Sequence, residues 1–179
     1  MARMPVPPQE AQRLAALASY DILDTSPQAP YDELVALAGH LCDTPMAMIS
    51  LVDEGRQWFK AQVGLGIHQT PREESFCAWT ILSPAPMVVE NALVDPRFRD
   101  SPLVLRGPHI RFYAGVPLLT PTSEALGALC VMDTEPRQLD QRQLRALTTL
   151  AHQVMVLLES RRTWLDMTTL LGRVAASGR

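Results

Sequence analysis

The stretch MAMISLVDEGRQWFKAQVG, residues 46–64, constrains the fold more than any other part of the chain. Residues 46–53 form a short, mainly apolar run, and Glu54, Gly55 and Arg56 supply a turn. Trp58, Lys60 and Gln62 then alternate with Phe59, Ala61 and Val63. Two strand-length runs joined by a short glycine-containing turn predict a β-hairpin. A hairpin is not stable alone and must lay an apolar face on something else. Helical patterns stand on both sides of it to do so.

Upstream, residues 9–19 predict a short helix with Ala11, Leu14, Ala15, Leu17 and Ala18 on a modest apolar face. A second helix opens at Asp32 or just before it. Leu34, Leu37, Ala38, Leu41 and Cys42 recur there at helical spacing, which predicts a buried Cys42. Downstream come a polar loop over 64–75, a short helix over 75–82, and a brief strand at MVVEN. The loop DPRFRDSPLVLRGP follows, with one helical turn in it. HIRFYAGVPLL reads as a strand with Ile110, Phe112, Ala114 and Val116 on one face and Arg111, Tyr113 and Gly115 on the other. ALCVMDT is another strand. A long helix runs from near Leu139 to about Gly172, and its ~30 residues span ~45 Å. Helices, hairpin, strands and long helix in this order predict an α+β domain with an antiparallel sheet. The expected division is a flexible arm over 1–8, a domain over 9–160, and a helical extension with a tail over 161–179.

An apolar stripe that outruns its own core predicts a partner helix from a second copy of the chain. Leu147, Val154, Leu157, Leu158 and Leu165 are the expected dimer interface. The competing expectation is a break near Ser160, Arg161 and Arg162, with the helix folding back.

Charge excludes some partners. The net charge of −3 comes from 16 basic and 19 acidic residues that are well mixed, so no basic stripe suggests nucleic acid. The N-terminal residues lack the apolar core of a secretory signal, and no apolar run is long enough to span a bilayer. Three widely spaced cysteines, Cys42, Cys77 and Cys130, give neither a disulfide framework nor a CxxC metal spacing. A cytoplasmic location, with no membrane partner, is the expectation.

The most suggestive chemistry lies in PREESFCAWTI, residues 71–81. Cys77, beside Phe76 and Trp79 and downstream of Arg72, Glu73 and Glu74, has the surroundings of a nucleophile, a redox group or a metal ligand, and equally those of a packed apolar wall. His68, His109 and His152 do not group with it at any local metal-ligand spacing, so no metal is expected. Asp53 and Asp133 each end a strand, where a carboxylate serves as a turn or capping group more often than as an acid or base.

Five phrases in order carry a family resemblance: RLAALASYDILDTSPQAPYDELVALAGHLCDTPMAMISLVDEGRQWFKAQVGL, TPREESFCAWTIL, MVVENALVDPRFRDSPLV, HIRFYAGVPL and LGALCVMDTEPRQLDQRQLRAL. From about Arg13 to Glu159 the chain resembles a GAF domain, of the type found upstream of histidine kinases and diguanylate cyclases. The resemblance implies a central antiparallel sheet of about six strands flanked by helices. It also implies a small-molecule pocket on one sheet face beneath loops and short helices, with terminal helices that often dimerise. No kinase, GGDEF-type or phosphodiesterase signature accompanies it. The expected role is therefore a non-enzymatic sensor, either complete or cut from a longer chain, that signals to a separate kinase or cyclase output protein.

On that pattern the expected ligand-binding residues are Trp58, Phe76, Cys77, Trp79, Arg111 and Tyr113, with 71–82 as a lid. Arg111 and Tyr113 suit a carboxylate or phosphate, unless Arg111 is spent on Glu73, Glu74 or Asp95. The family often has histidine two residues after this cysteine, and Trp79 stands there instead. A ligand-free interaction module, with its pocket collapsed around Trp58 and Trp79, is the alternative. A redox enzyme like free methionine-(R)-sulfoxide reductase is a further one, but residues 105–117 lack the second pocket cysteine of that branch, and Cys130 reads as core. Neither a covalent bilin signature nor the NKFDE motif of cyclic-nucleotide-binding relatives is present, so the cofactor is left unknown.

Overall fold

The computed structural model describes residues 6–177, with side chains through residue 174. Most of the expected arm, residues 1–5, and the last two residues of the tail lie outside the described residues. In chain order the elements are α1 (Glu10–Ser19), α2 (Ala29–Cys42), β1 (Met46–Val52), β2 (Arg56–Val63), β3 (Gln69–Pro71), a 3-10 turn (Arg72–Glu74), α3 (Cys77–Thr80), β4 (Met87–Val89), α4 (Pro102–Leu105), β5 (Phe112–Leu119), β6 (Ala125–Asp133) and α5 (Gln141–Ser177). The six strands form one antiparallel sheet in the order β3-β2-β1-β6-β5-β4. The fold is α+β, as the order of elements predicts.

The sheet separates two apolar layers. On one face, α2 and α5 pack through Val35, Ala38, Leu147, Val154 and Leu158 onto Ile49, Leu51, Phe112, Leu126 and Leu129. On the other, the short elements α3 and α4 and the loop between β4 and β5 cover Met48, Phe59, Tyr113, Cys130 and Met132. Alternation assigns the faces along β5 from Phe112 to Val116 and along β6 from Ala128 to Met132, and a register shift between Pro117 and Leu119 lets Leu126 share the face of Leu129.

The expected alternation in β2 fails at one residue. The pairing of β1 with β2 jumps from Ile49 opposite Ala61 to Ser50 opposite Phe59, so Lys60 is an extra, bulged residue. The bulge inverts the phase of the strand. Trp58 therefore joins Ala61 in the helix-covered layer, while Phe59 faces the lid. Lys60 is buried, and its ammonium reaches the Thr25 hydroxyl at 2.9 Å and the Ser26 carbonyl at 2.7 Å.

The helices also turn differently from their sequence patterns. α1 buries Arg13 and Leu17, leaving Ala11, Ala15 and Ala18 exposed. α2 buries Tyr31, Val35, Ala38 and Cys42, whereas Leu37 and Leu41 face solvent. α5 runs unbroken through Ser160, Arg161 and Arg162. Arg161 donates to the backbone carbonyls of Tyr20 and Asp21, fastening α5 to the end of α1.

The expected dimer interface is corrected by the same packing. Leu147, Val154 and Leu158 are fully buried within the domain, and Leu157 packs half-buried against the same core. Leu165 is half-exposed. The apolar side chains that α5 presents outward are instead Val156, Trp164, Met167, Leu170 and Leu171. The stripe has two sides, and the inner one belongs to the domain's own core.

Candidate functional site

The lid-covered face of the sheet holds a site built around Tyr113, and Gly115 makes its position possible. A Cβ at Gly115 would lie 2.1 Å from the Tyr113 hydroxyl oxygen, so the bare glycine backbone lets the phenol lie along the strand. The ring reaches α3, where the Tyr113 hydroxyl accepts from the Thr80 hydroxyl at 2.6 Å and donates to the Cys77 sulfur at 3.3 Å. The thiol of Cys130, projecting from β6 to the same face, stands 3.6 Å from Cys77. All these groups are buried.

Aromatic rings close the site. Phe76 stacks on Phe98 with centroids 4.1 Å apart and on Tyr113 at 5.2 Å, and Trp79 meets the edge of Phe98 at 5.8 Å. Arg97 lies over the other side of Phe98 at 5.0 Å, held by its ion pair with Asp95. Between this stack and the sheet lies a cavity of about 30 Å³ lined by Met48, Gln57, Phe76, Cys77, Tyr113 and Met132 among others. Its lining is apolar apart from a few groups. Two of these, the Gln57 side-chain carbonyl and the Thr70 hydroxyl, are buried with no hydrogen-bond partner among the described residues. Such groups cost stability unless something pairs with them.

The protons at the sulfur cluster are unevenly held. Burial pushes the Cys77 thiol up, but hydrogen bonds from Cys130, Tyr113 and the nearby Ser50 together outweigh it and leave the thiol lowered. Ser50 contributes although its hydroxyl makes no hydrogen bond of normal geometry. Cys130 and Tyr113 are both raised well above their ordinary values, by burial first; next comes the hydrogen bond with Cys77 for Cys130 and the negative charge on Cys77 for Tyr113. Cys130 and Tyr113 thus hold their protons more tightly than they ordinarily would, and Cys77 holds its own less tightly.

Of the six expected binding residues, Phe76, Cys77 and Tyr113 line the cavity, and Trp79 packs behind them on Phe98. Trp58 is on the opposite face of the sheet. Arg111 does not line the cavity either. Its guanidinium donates to the backbone carbonyls of Val104 at 2.9 Å and Ile110 at 3.2 Å, tying α4 to the start of β5, and it pairs with none of Glu73, Glu74 or Asp95. The buried arginine of the 71–82 segment is Arg72. It bonds to Glu10 of α1 at 2.6 Å and to the Asp53 carbonyl at 3.1 Å. Asp53 and Asp133 cap their turns, accepting from the amides of Glu54 and Glu135.

Sequence reasoning missed Cys130, Thr80, Gln57 and Phe98. Phe98 sits in an irregular loop with no period to reveal its direction. Cys130 lies in a strand buried along its whole length, where apolar residues alternate with apolar residues and conceal which face each takes. Among the described residues no cluster of three or more His, Cys, Asp or Glu is arranged to hold a metal.

A GAF domain model matches residues 26–158. The chain belongs to the GAF domain family. It is 43% identical over 164 residues to a cyclic di-GMP phosphodiesterase of Pseudomonas aeruginosa, an alignment that covers 91% of this chain and 28% of that protein. The chain thus spans under a third of the length of that relative. Among solved structures, the GAF domain of a phosphoenolpyruvate-protein phosphotransferase from Coxiella burnetii superposes with a TM-score of 0.65 at 15% identity, covering 87% of this chain and 96% of that one. Free methionine-R-sulfoxide reductase from Neisseria meningitidis, solved with its substrate, gives 0.62 at 18% identity, with 86% and 87% covered. At these identities the two structures share the fold. Among the described residues no helix is long and apolar enough to cross a membrane.

Proposed function

We propose that this GAF domain is a cytoplasmic, non-enzymatic sensor in bacterial signal transduction, whose small-molecule site is the lid-covered face of the sheet. The observation that carries this reading is the pair of unpartnered polar atoms, Gln57 Oε1 and Thr70 Oγ1, in residues that line an otherwise apolar cavity. Ligand sites commonly combine apolar walls with a few convergent polar groups. At about 30 Å³ the cavity is too small for a metabolite, so a ligand of that size enters by displacing lining side chains such as Phe76. Binding energy is then coupled to lid position, as a sensor requires.

The signal leaves through α5. Its outward residues Val156, Trp164, Met167 and Leu171 continue a stripe beyond the domain, beside an apolar groove of about 770 Å³ formed with Pro84, Pro86 and Pro117. A helical tail of this length is marginal in water without a packing partner. A second copy of α5 supplies one, placing the dimer interface on the outer side of the helix. The 43% identical relative carries its matching region within a much longer chain, in keeping with an output module of cyclase, phosphodiesterase or kinase type.

A thermal-shift screen of metabolites and nucleotides, cyclic di-GMP included, tests the sensor. A ligand at 100-fold excess over its Kd stabilises by about 2.7 kcal/mol, and that gain is expected to vanish in a variant with the cavity filled, Cys77→Leu. A ligand whose effect survives this substitution would place binding elsewhere. The second reading, a ligand-free interaction module, is favoured by the tight Phe76–Phe98–Tyr113 stack that fills the face. It predicts no stabilising compound and an unchanged dimer.

A further inference from the structure

Cys77 and Cys130 come from elements 53 residues apart in sequence, yet their sulfurs lie 3.6 Å apart in a fully buried setting. The third cysteine, Cys42, is isolated on α2, on the opposite side of the sheet, and burial pushes its thiol up to about 11. Of the three, Cys77 alone accepts from a hydroxyl, that of Tyr113, and its sulfur also meets that of Cys130. The adjoining cavity, of which Cys77 forms part of the wall, has about 30 Å³. That volume admits a molecule of one or two water-sized units, and the unpartnered Gln57 carbonyl in its lining offers an acceptor to an O–H group.

We infer that Cys77 and Cys130 form a redox pair that a small hydroperoxide, hydrogen peroxide being the best fit, oxidises to a disulfide linking α3 to β6. Cys77 is the attacking sulfur. It bonds to one peroxide oxygen, the O–O bond breaks, and the departing oxygen takes the thiol proton to leave as water or an alcohol. Cys77 is then a sulfenic acid. The Cys130 sulfur attacks Cys77, the S–O bond breaks, and hydroxide leaves with the Cys130 proton as a second water. Two thiols lose two electrons in all, and the peroxide gains them. Closing the pair from 3.6 Å to the ~2.05 Å of a disulfide draws α3 toward the sheet. The rings of Phe76 and Trp79, carried on that segment, move with it. The chemistry is stoichiometric and thiol-reversible, and it does not depend on reversible ligand binding at the same face.

The test uses the whole reduced chain, folded, with one equivalent of hydrogen peroxide. Acid quenching, alkylation of remaining thiols and peptide mass mapping then follow. The expected product is a Cys77–Cys130 cross-link with Cys42 still alkylated, reversed by dithiothreitol. In Cys130→Ser, Cys77 is expected to stop at a sulfenic acid that dimedone traps. The inference is overturned if Cys42 oxidises before the other two, or if the cross-link forms only once the chain is unfolded. It is equally overturned if folded Cys130→Ser yields no dimedone adduct on Cys77. The unaltered chain carries the main result, so a poorly folding variant does not decide it. A ligand screen that fails leaves this result standing, and a failed oxidation leaves the ligand site standing.

Discussion

On the helix-covered face of the sheet, Leu147, Val154 and Leu158 of α5 meet Val35 and Ala38 of α2 over strands filled with aliphatic side chains. On the opposite face, a tyrosine, two thiols, a three-ring stack and a small cavity lie under a four-residue helix and irregular loops. Hydrocarbon packed between long elements supplies stability, and the one thiol there, Cys42, is buried on α2. The lid face keeps polar atoms without partners, and its cover is held by short segments. One sheet thus separates a layer covered by long helices from one covered by short segments, and if the second opens as proposed, mutations on the two sides should differ in kind.

The largest effect is expected on the helix face. Leu147→Ala removes a fully buried side chain and should cost about 3 kcal/mol in urea unfolding, with the lid-face thiols reacting as before in the folded protein. Gly115→Ala should cost about 2 kcal/mol through forced repacking, because the new Cβ collides with the Tyr113 hydroxyl. Its signature is a change in Cys77 reactivity, which Leu147→Ala lacks. Similar changes at Cys77 in both variants would erase the distinction.

At the edge joining α1 to the 71–82 segment, Glu10 sits between Arg13 and Arg72. Burial alone would raise its carboxyl, but the hydrogen bonds and charges of the two arginines lower it. A depressed folded-state pKa contributes stability above the unfolded value of about 4.3. That contribution is lost as the pH falls through the folded value. Glu10→Gln should therefore lose about 1.5 kcal/mol near neutral pH, and the deficit should shrink in acid below about pH 4. A deficit independent of pH would assign the loss to packing. The smallest effect belongs to Gln57→Leu, which removes an unpartnered buried carbonyl and should change stability by less than about 1 kcal/mol, toward stabilisation. The same variant should weaken any ligand that pairs with Gln57.

Much of this division was legible in the sequence, and the failures have specific causes. The hairpin, the buried Cys42 and the long last helix follow from periodicity. The face assignment of Trp58 does not, because the bulge at Lys60 carries no glycine or other mark in the sequence. In α5, apolar residues on two sides of the helix read as one stripe, so core residues such as Leu158 stood in for the outer ones such as Trp164. Cys77, Phe76 and Tyr113, which the family resemblance groups as binding residues, do line one cavity. Cys130 was hidden by the uniform burial of β6, and Phe98 and Arg72 depend on long-range packing that no local spacing encodes.

Native-state thiol alkylation along a urea series, read cysteine by cysteine, addresses the two faces together. Opening of the lid exposes little surface, so Cys77 should react at a rate nearly independent of low urea. Cys42, in the helix-covered layer, should react only through extensive unfolding, with a rate that climbs steeply with urea. The same steep slope at Cys77 and Cys42 would contradict a lid that opens on its own.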